Sequence, residues 1–211
     1  MENMAFVTPR FKPGEIDRAG KDMEGIHRLY DSDFSEYVSL EQWSKYEKAA
    51  EIVENWRSSH SYPMQIIRNN LANRAKKVQP KPIVAQRLKR FVSITGKLAR
   101  EPRMKLSQMQ DIGGCRAIMS SVAHVRELVV AHEEAWHKNP NRHELNKCRG
   151  YIATPKASGY RGVHLIYKFI SDNPKYIVHN GQRIEIQIRC RLQHAWATTV
   201  EVVGAGLGSW R

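Results

Sequence analysis

Residues 184–189 read Ile-Glu-Ile-Gln-Ile-Arg, and this strict alternation limits the fold most. A strand turns successive side chains to opposite faces, so Ile184, Ile186 and Ile188 share one side and Glu185, Gln187 and Arg189 the other. One side belongs to a core. The other presents a carboxylate, an amide and a guanidinium, a set that suits a ligand or a metal ion better than packing. About twenty residues earlier, 155–164 read Pro-Lys-Ala-Ser-Gly-Tyr-Arg-Gly-Val-His. This turn-rich loop offers cations for phosphate and an aromatic ring for a base, so loop and strand together read as a nucleotide site.

The chain has 211 residues, 41% of them hydrophobic, enough to bury one core with a helical extension. Residues 1–38 show no clear periodicity and are expected to form an irregular arm. A helix is predicted from Ser39, where Ser39 and Gln42 match a capping box. Trp43, Tyr46, Ala50, Val53 and Trp56 then form a stripe expected to be core. Tyr62-Pro63 opens a second helix to about Lys77. A third is expected over about Ile83 to Leu98.

The pattern changes at Asp111-Ile-Gly-Gly-Cys-Arg-Ala-Ile-Met119, which reads as a buried strand. Val122 to His137 has helical spacing. A short strand near Tyr151, a strand from Val163 to Ile170 and the strand at 184–189 follow. Asn180-Gly181 signals a hairpin joining a strand near Tyr176 to the last strand. A final helix begins near Arg191. The expected class is α+β (mixed α/β): an N-terminal arm and helical extension over 1–79, then a mixed sheet flanked by helices over 80–211.

A net charge of +13 calls for an anionic partner, whether nucleotide phosphate or nucleic acid. Residues 68 to 105 hold twelve Lys or Arg and one acid, Glu101. The three cysteines have no C-x-x-C spacing, which suggests neither a disulfide framework nor a zinc site and fits a reducing cytosol. No apolar run of about eighteen residues is present, so no membrane span is expected. No charged segment followed by an apolar run opens the chain, so no signal peptide is expected.

Three groups of residues carry candidate chemistry. If helical, Lys89, Ser93 and Lys97 fall on one face at i+4 steps, a clamp for a triphosphate to which Arg87 adds bidentate contacts. The same row fits a solvated basic helix. Asp111 precedes two glycines that let backbone approach a ligand, and with Glu185 on a neighbouring strand it can hold Mg²⁺. Either acid fits equally as the partner of an arginine, with Arg116 and Arg189 available. His164, four residues after Tyr160, is a candidate ligand group or a satisfied structural one.

In order and spacing these pieces resemble the synthetase domain of the RelA/SpoT family. The matching motifs are Arg87-x-Lys89-x-x-x-Ser93-x-x-x-Lys97, Gln110-Asp-Ile-Gly-Gly-Cys-Arg-Ala-Ile118, Tyr151-Ile-x-x-Pro-Lys156-x-x-Gly-Tyr160-Arg-x-x-His164, Ile184-Glu-Ile-Gln-Ile-Arg189 and Trp196-Ala197. They cover about residues 80 to 203. Asp17-Arg-Ala-Gly-Lys21 and Asn55-Trp-Arg-Ser-Ser-His-Ser-Tyr-Pro63 resemble a stand-alone branch without a hydrolase domain, whose members usually run further than this chain.

The resemblance implies a nucleotidyltransferase-like fold and a cytoplasmic pyrophosphokinase that moves the β,γ-pyrophosphate of ATP to the 3′-hydroxyl of GDP or GTP. It implies that Arg87, Lys89, Ser93, Lys97 and Arg116 hold ATP. Asp111 and Glu185 would hold Mg²⁺, with Glu185 also drawing the hydroxyl proton. Lys156, Tyr160 and His164 would hold the acceptor, Tyr160 stacking on guanine. The loop departs from the common pattern at Ser158 and in Tyr160-Arg-Gly-Val-His164, and the last helix in Thr198-Thr-Val-Glu201. An adenine nucleotide or a tRNA 3′ end therefore stays open as acceptor. A non-catalytic nucleic-acid binder is a further alternative.

Overall fold

The computed structural model describes residues 6–31, 39–139 and 143–206. Five strands make one sheet: β1 (Ile83–Leu88), β2 (Gly113–Met119), β3 (Glu144–Gly150), β4 (Val163–Lys168) and β5 (Arg183–Cys190). Their spatial order is β1-β2-β5-β4-β3. β2 and β5 run parallel, and the other pairings are antiparallel. The helices are α1 (Pro13–Asp31), α2 (Leu40–Ser59), α3 (Ser61–Val78), α4 (Phe91–Arg100), α5 (Val122–Lys138) and α6 (Arg191–Gly206). This is the expected α+β architecture.

Alternation in β5 sets the layering. Ile184, Ile186 and Ile188 are fully buried beneath Met64, Ile67 and Leu71 of α3 and Val125 and Leu128 of α5. Fully burying one such side chain stabilises by about 1.5–3 kcal/mol, so this face commits the strand. The opposite face keeps Glu185 and Gln187 partly accessible. A second core joins α1, α2 and α4 through Ile16, Ala19, Val53, Ile94 and Leu98, and it encloses Leu106, Met109 and Ile112. Ile112 is thereby anchored one residue after Asp111, which fixes where that carboxylate enters the sheet.

Gly113 faces the first core. A Cβ there would lie 2.5 Å from Ile184 Cδ1, closer than packing allows, so α3 and β5 approach at a glycine. Gly114 faces the other way. Only this second glycine matches the expectation of backbone open to a ligand.

Several expectations held. Ser39 Oγ accepts from Gln42 N–H, and Gln42 returns to the Ser39 backbone, forming the capping box. α3, β2, α5 and α6 fall close to where spacing placed them.

Others need correction. The irregular arm contains α1: Pro13 sits at its first position, and Ile16, Ala19 and Met23 recur at helical spacing into the second core. The abundant charges of its outer face hid that stripe. The rest of the expected arm, 1–5 and 32–38, lies outside the described residues. The predicted helix over Ile83 to Leu98 is instead β1 followed by α4. Residues 83–88 pair with β2, and Lys89 N–H donates to Ile112 O at 2.8 Å, continuing the ladder. Strand pairing overrode a mixed local pattern.

The strand expected near Tyr176 is a loop leading into the turn Ile177–His179. Tyr176 stacks on Tyr62 of α3 with ring centroids 4.0 Å apart, which holds this segment off the ladder. The tight turn still forms: Gly181 has φ of +89°, and its N–H donates to Phe169 O at 2.9 Å. It closes the β4–β5 connection. β3 ends one residue before Tyr151. In the aromatic stripe Val53 is core, but Trp43 is half-exposed and donates to Glu47 Oε1.

Candidate active site

Register places the polar side chains. Gly114 of β2 pairs with Glu185 of β5, Arg116 with Gln187, and Arg87 of β1 with Gly114. On the other flank His164 of β4 pairs with Gln187. Cross-strand partners share a face, so Arg87, Arg116, Glu185, Gln187 and His164 gather on the side that α3 and α5 leave uncovered.

Two clefts open there. The first, of about 180 Å³, is bounded by Arg87, Lys89, Asp111, Arg116 and Glu185. The second, of about 280 Å³, is bounded by Lys156, Ser158, Tyr160, His164 and Trp196. Gln187 lines both.

Asp111 accepts from two ammonium groups, Lys89 Nζ at 2.9 Å and Lys97 Nζ at 3.1 Å. Burial pushes its carboxyl up, but the two lysines outweigh burial and leave it below its ordinary value. Lys89 and Lys97 therefore converge as expected, though from a strand end and a helix rather than along one helix. Ser93 lies one turn before Lys97 on α4 and is absent from the lining of the first cleft. Asp111 is thus paired with two lysines, not with Arg189.

Glu185 Oε1 lies 2.8 Å from His164 Nδ1, and its Oε2 accepts from Gln187 Nε2 at 2.8 Å. Burial raises the Glu185 carboxyl, and the bonds from His164 and Gln187 more than reverse that, so it too lies below its ordinary value. The other ring nitrogen, His164 Nε2, hydrogen-bonds the Tyr160 hydroxyl. A carboxylate only accepts, so with the ring neutral Nδ1–H donates to Glu185 and Nε2 accepts from Tyr160 O–H. Tyr160 oxygen in turn accepts from Arg189 Nε at 3.0 Å, and Arg189 Nη2 donates to Gln187 Oε1 at 2.7 Å. The five side chains close a ring of hydrogen bonds.

Burial raises the Tyr160 hydroxyl above its ordinary value despite Arg189 beside it. The Arg189 guanidinium and the Lys156 ammonium lie over the Tyr160 ring at 4.6 and 5.1 Å. Gly159, at φ of +74°, carries the loop past Trp196, whose indole a Cβ would meet at 3.2 Å.

Of the anticipated site residues, Ser93 and Lys97 line neither cleft, although Lys97 bonds to Asp111, which lines the first; the others line one cleft or the other. Sequence places Gln187 and Arg189 only on the polar face of β5 and Trp196 only in a matching motif, and assigns a site role to none of them. Gln187 and Arg189 occupy the i+2 and i+4 positions after Glu185, so alternation already put them on its face. Trp196 is 53% exposed and borders the second cleft. The Glu201 side chain lies outside the described residues. Among the described residues no helix is long and apolar enough to cross a membrane.

Comparison with known proteins places the chain in a family. The family model described as "Region found in RelA / SpoT proteins" matches residues 86–202, more than half the chain. The GTP pyrophosphokinase YwaC of Bacillus subtilis is 32% identical over 124 residues, 53% of this chain and 52% of that protein. The GTP pyrophosphokinase YjbM of the same organism is 31% identical over 126 residues, 56% of this chain and 54% of that protein. The chain thus spans about half the length of these relatives. The fold is shared with the small alarmone synthetase 1 from Bacillus subtilis bound to its product pppGpp, with a TM-score of 0.61 at 22% identity over 75% of this chain and 83% of that one. The strand that joins the two clefts and all of their lining residues except Ala85 fall inside the matched region, and the chain belongs to the RelA/SpoT family.

Proposed function

We propose that this chain is a pyrophosphokinase that moves the β,γ-pyrophosphate of ATP to the 3′-hydroxyl of GDP or GTP. The observation that carries this reading is the adjacency of two unlike clefts. One is lined by Arg87, Lys89 and Arg116 with two carboxylates, and the other by a cationic aromatic loop, with Gln187 common to both. A donor triphosphate suits the first. A nucleoside acceptor suits the second, its hydroxyl arriving near Glu185. The relatives named as GTP pyrophosphokinases support the same assignment.

In this reading the acceptor 3′-oxygen attacks the β-phosphorus of ATP, the bond from that phosphorus to the α,β-bridging oxygen breaks, and AMP leaves. The hydroxyl proton passes to Glu185, which its hydrogen bonds keep ionised. Arg87, Lys89, Lys97 and Arg116 neutralise the phosphates, and Ser93, one turn before Lys97 on α4, adds a hydroxyl on the ATP side. Lys156, Tyr160 and His164 hold the acceptor. The rate gain comes from positioning and charge neutralisation rather than covalent chemistry.

The donor set fits Mg²⁺. Asp111 and Glu185 line one cleft, and the charge of Asp111 is felt at Glu185. Two carboxylates with phosphate oxygens are the company this ion prefers. Asp111 and Glu185 would hold it, and when bound it would neutralise charge on the transferring phosphates. Lys89 and Lys97 would then turn from Asp111 to phosphate.

Incubating the chain with γ-labelled ATP and, separately, GDP, GTP, adenine nucleotides or bulk tRNA tests the assignment. Label on GDP or GTP is expected. Label on tRNA or adenine nucleotides alone would replace the acceptor, and no transfer to any of them would overturn the reading.

A further inference from the structure

The sheet has a third opening, on the face away from both clefts. It measures about 220 Å³ and lies between α3, α5 and β4, with Ile67 and Ile186 in its floor. Asn70, Arg74, His132, Trp136, Lys138 and Tyr167 supply its polar and aromatic walls. No Asp or Glu is among its lining residues. Glu133, whose charge reaches Tyr167 and Cys148, is not among them.

Two features of this cavity lack an internal explanation. Among the described residues Arg74 has no ion pair or hydrogen bond, although it is partly buried and its charge reaches both His132 and Tyr167. His132 is fully buried, its Nδ1 lies 2.8 Å from the Tyr167 hydroxyl, and its Nε2 has no partner. An unpaired buried polar atom costs about 1–3 kcal/mol. Such a cost, beside an unneutralised guanidinium, is a reason to look for an absent ligand. The basic stretch at 68–105 also finds a partial purpose here. Arg74 turns inward to the cavity, while Lys76 and Lys77 of the same helix are exposed.

We propose that this cavity binds a phosphoryl anion, held by Arg74 and Lys138 and by the Nε2–H of a neutral His132. In that state Tyr167 O–H donates to His132 Nδ1, which leaves the proton on Nε2 and makes the imidazole a donor to the anion. Asn70 adds an amide donor, and Trp136 supplies a flat apolar wall. A guanidinium fork, an ammonium and neutral N–H groups suit a tetrahedral oxyanion. The floor residue Ile186 sits between Glu185 and Gln187 on β5, so the anion would lie directly behind the candidate active site. The assignment does not rest on the reaction proposed above.

Histidines report on both sides of the sheet in one experiment. The full chain, labelled with ¹⁵N in its imidazoles, is titrated with sodium pyrophosphate and separately with AMP. His132→Asn identifies the rear signal, and His164 reports the front clefts. The His132 signal is expected to shift and saturate. Arg74→Gln should raise its midpoint at least about tenfold, the scale of one charge-assisted contact, and leave that of His164 unmoved. Lys138→Gln, a change at an exposed helix end, should act in the same direction and covers the case in which Arg74→Gln fails to fold. Saturation by AMP at lower concentration than pyrophosphate would identify a nucleotide ligand, and the reverse order a simple phosphate. A His132 signal that does not move with either, or a midpoint indifferent to both substitutions, would overturn the proposal.

Discussion

His164 Nδ1 and Glu185 Oε1 are 2.8 Å apart across β4 and β5, and this contact links the two clefts. Through the other edge of its ring His164 reaches Tyr160, in the loop that lines the second cleft. Glu185 faces the first cleft beside Arg116 and Asp111. In the proposed reaction, the group that would position the acceptor is thus bonded to the carboxylate that would receive its proton.

Removing either carboxylate should therefore stop transfer without unfolding the chain. Glu185→Ala and Asp111→Ala are expected to lower kcat at least about a hundredfold, the scale of losing a group that stabilises transition-state charge. Single-turnover assays alongside circular dichroism measure both properties. Turnover near the unmodified rate in Glu185→Ala would contradict its role.

Tyr160 separates two contributions. Tyr160→Ala should raise the acceptor KM by the equivalent of about 1–3 kcal/mol, as for loss of base–aromatic stacking, with little change in the KM for ATP. Tyr160→Phe keeps the ring and removes the hydroxyl between His164 and Arg189, so it should spare KM and lower kcat. If Phe raises the acceptor KM as much as Ala does, the ring is not the contact.

Neighbouring glycines should respond oppositely. Gly113→Ala forces a methyl against Ile184 and should destabilise by about 1–3 kcal/mol in urea unfolding, as overpacking does. Gly114→Ala meets only Arg87 O at an ordinary 3.6 Å and should fold normally, while its methyl enters the first cleft and weakens ATP. Equal stability losses would mean the two faces are misassigned.

Stability should fall on mild acidification. Burial pushes His60 down to about 4 and His132 down to about 3, against 6.5 for an exposed ring. The folded values lie below the unfolded one, so protons bind the unfolded chain first. Stability present above about pH 6.5 is lost as pH drops towards the folded values, by about 1.4 kcal/mol per pH unit for each histidine. Asp111 and Glu185, both held low, add a further loss below about pH 4, where the unfolded carboxylates protonate. Urea unfolding at several pH values between 7.5 and 5 checks the first window, and a flat profile there would contradict it.

The front face was legible in sequence because β5 alternates so strictly. Once Ile184, Ile186 and Ile188 are buried, Glu185, Gln187 and Arg189 have one side left to them. Sequence could not show that Gly114 lies beside Glu185, because β2–β5 pairing is non-local. β1 was misread for the same reason: Arg87 and Leu88 carry no local signal that outweighs a helical spacing, and the partner that makes them a strand is β2. The α1 stripe was hidden by Arg18, Lys21 and Asp22 on its outer turns. Trp196 carried no assigned role because helical spacing does not reveal which side chains border a cleft, as this one does.

The central claim is that two phosphoryl groups move together, and the fate of the adenine nucleotide tests it most directly. The chain is incubated with ATP, GDP and Mg²⁺, and the nucleotides are resolved by anion-exchange chromatography and ³¹P NMR. AMP should appear one for one with a guanosine nucleotide carrying a 3′-diphosphate, and both should vanish in Glu185→Ala. ADP in place of AMP, or AMP with free pyrophosphate and unmodified GDP, would contradict the account.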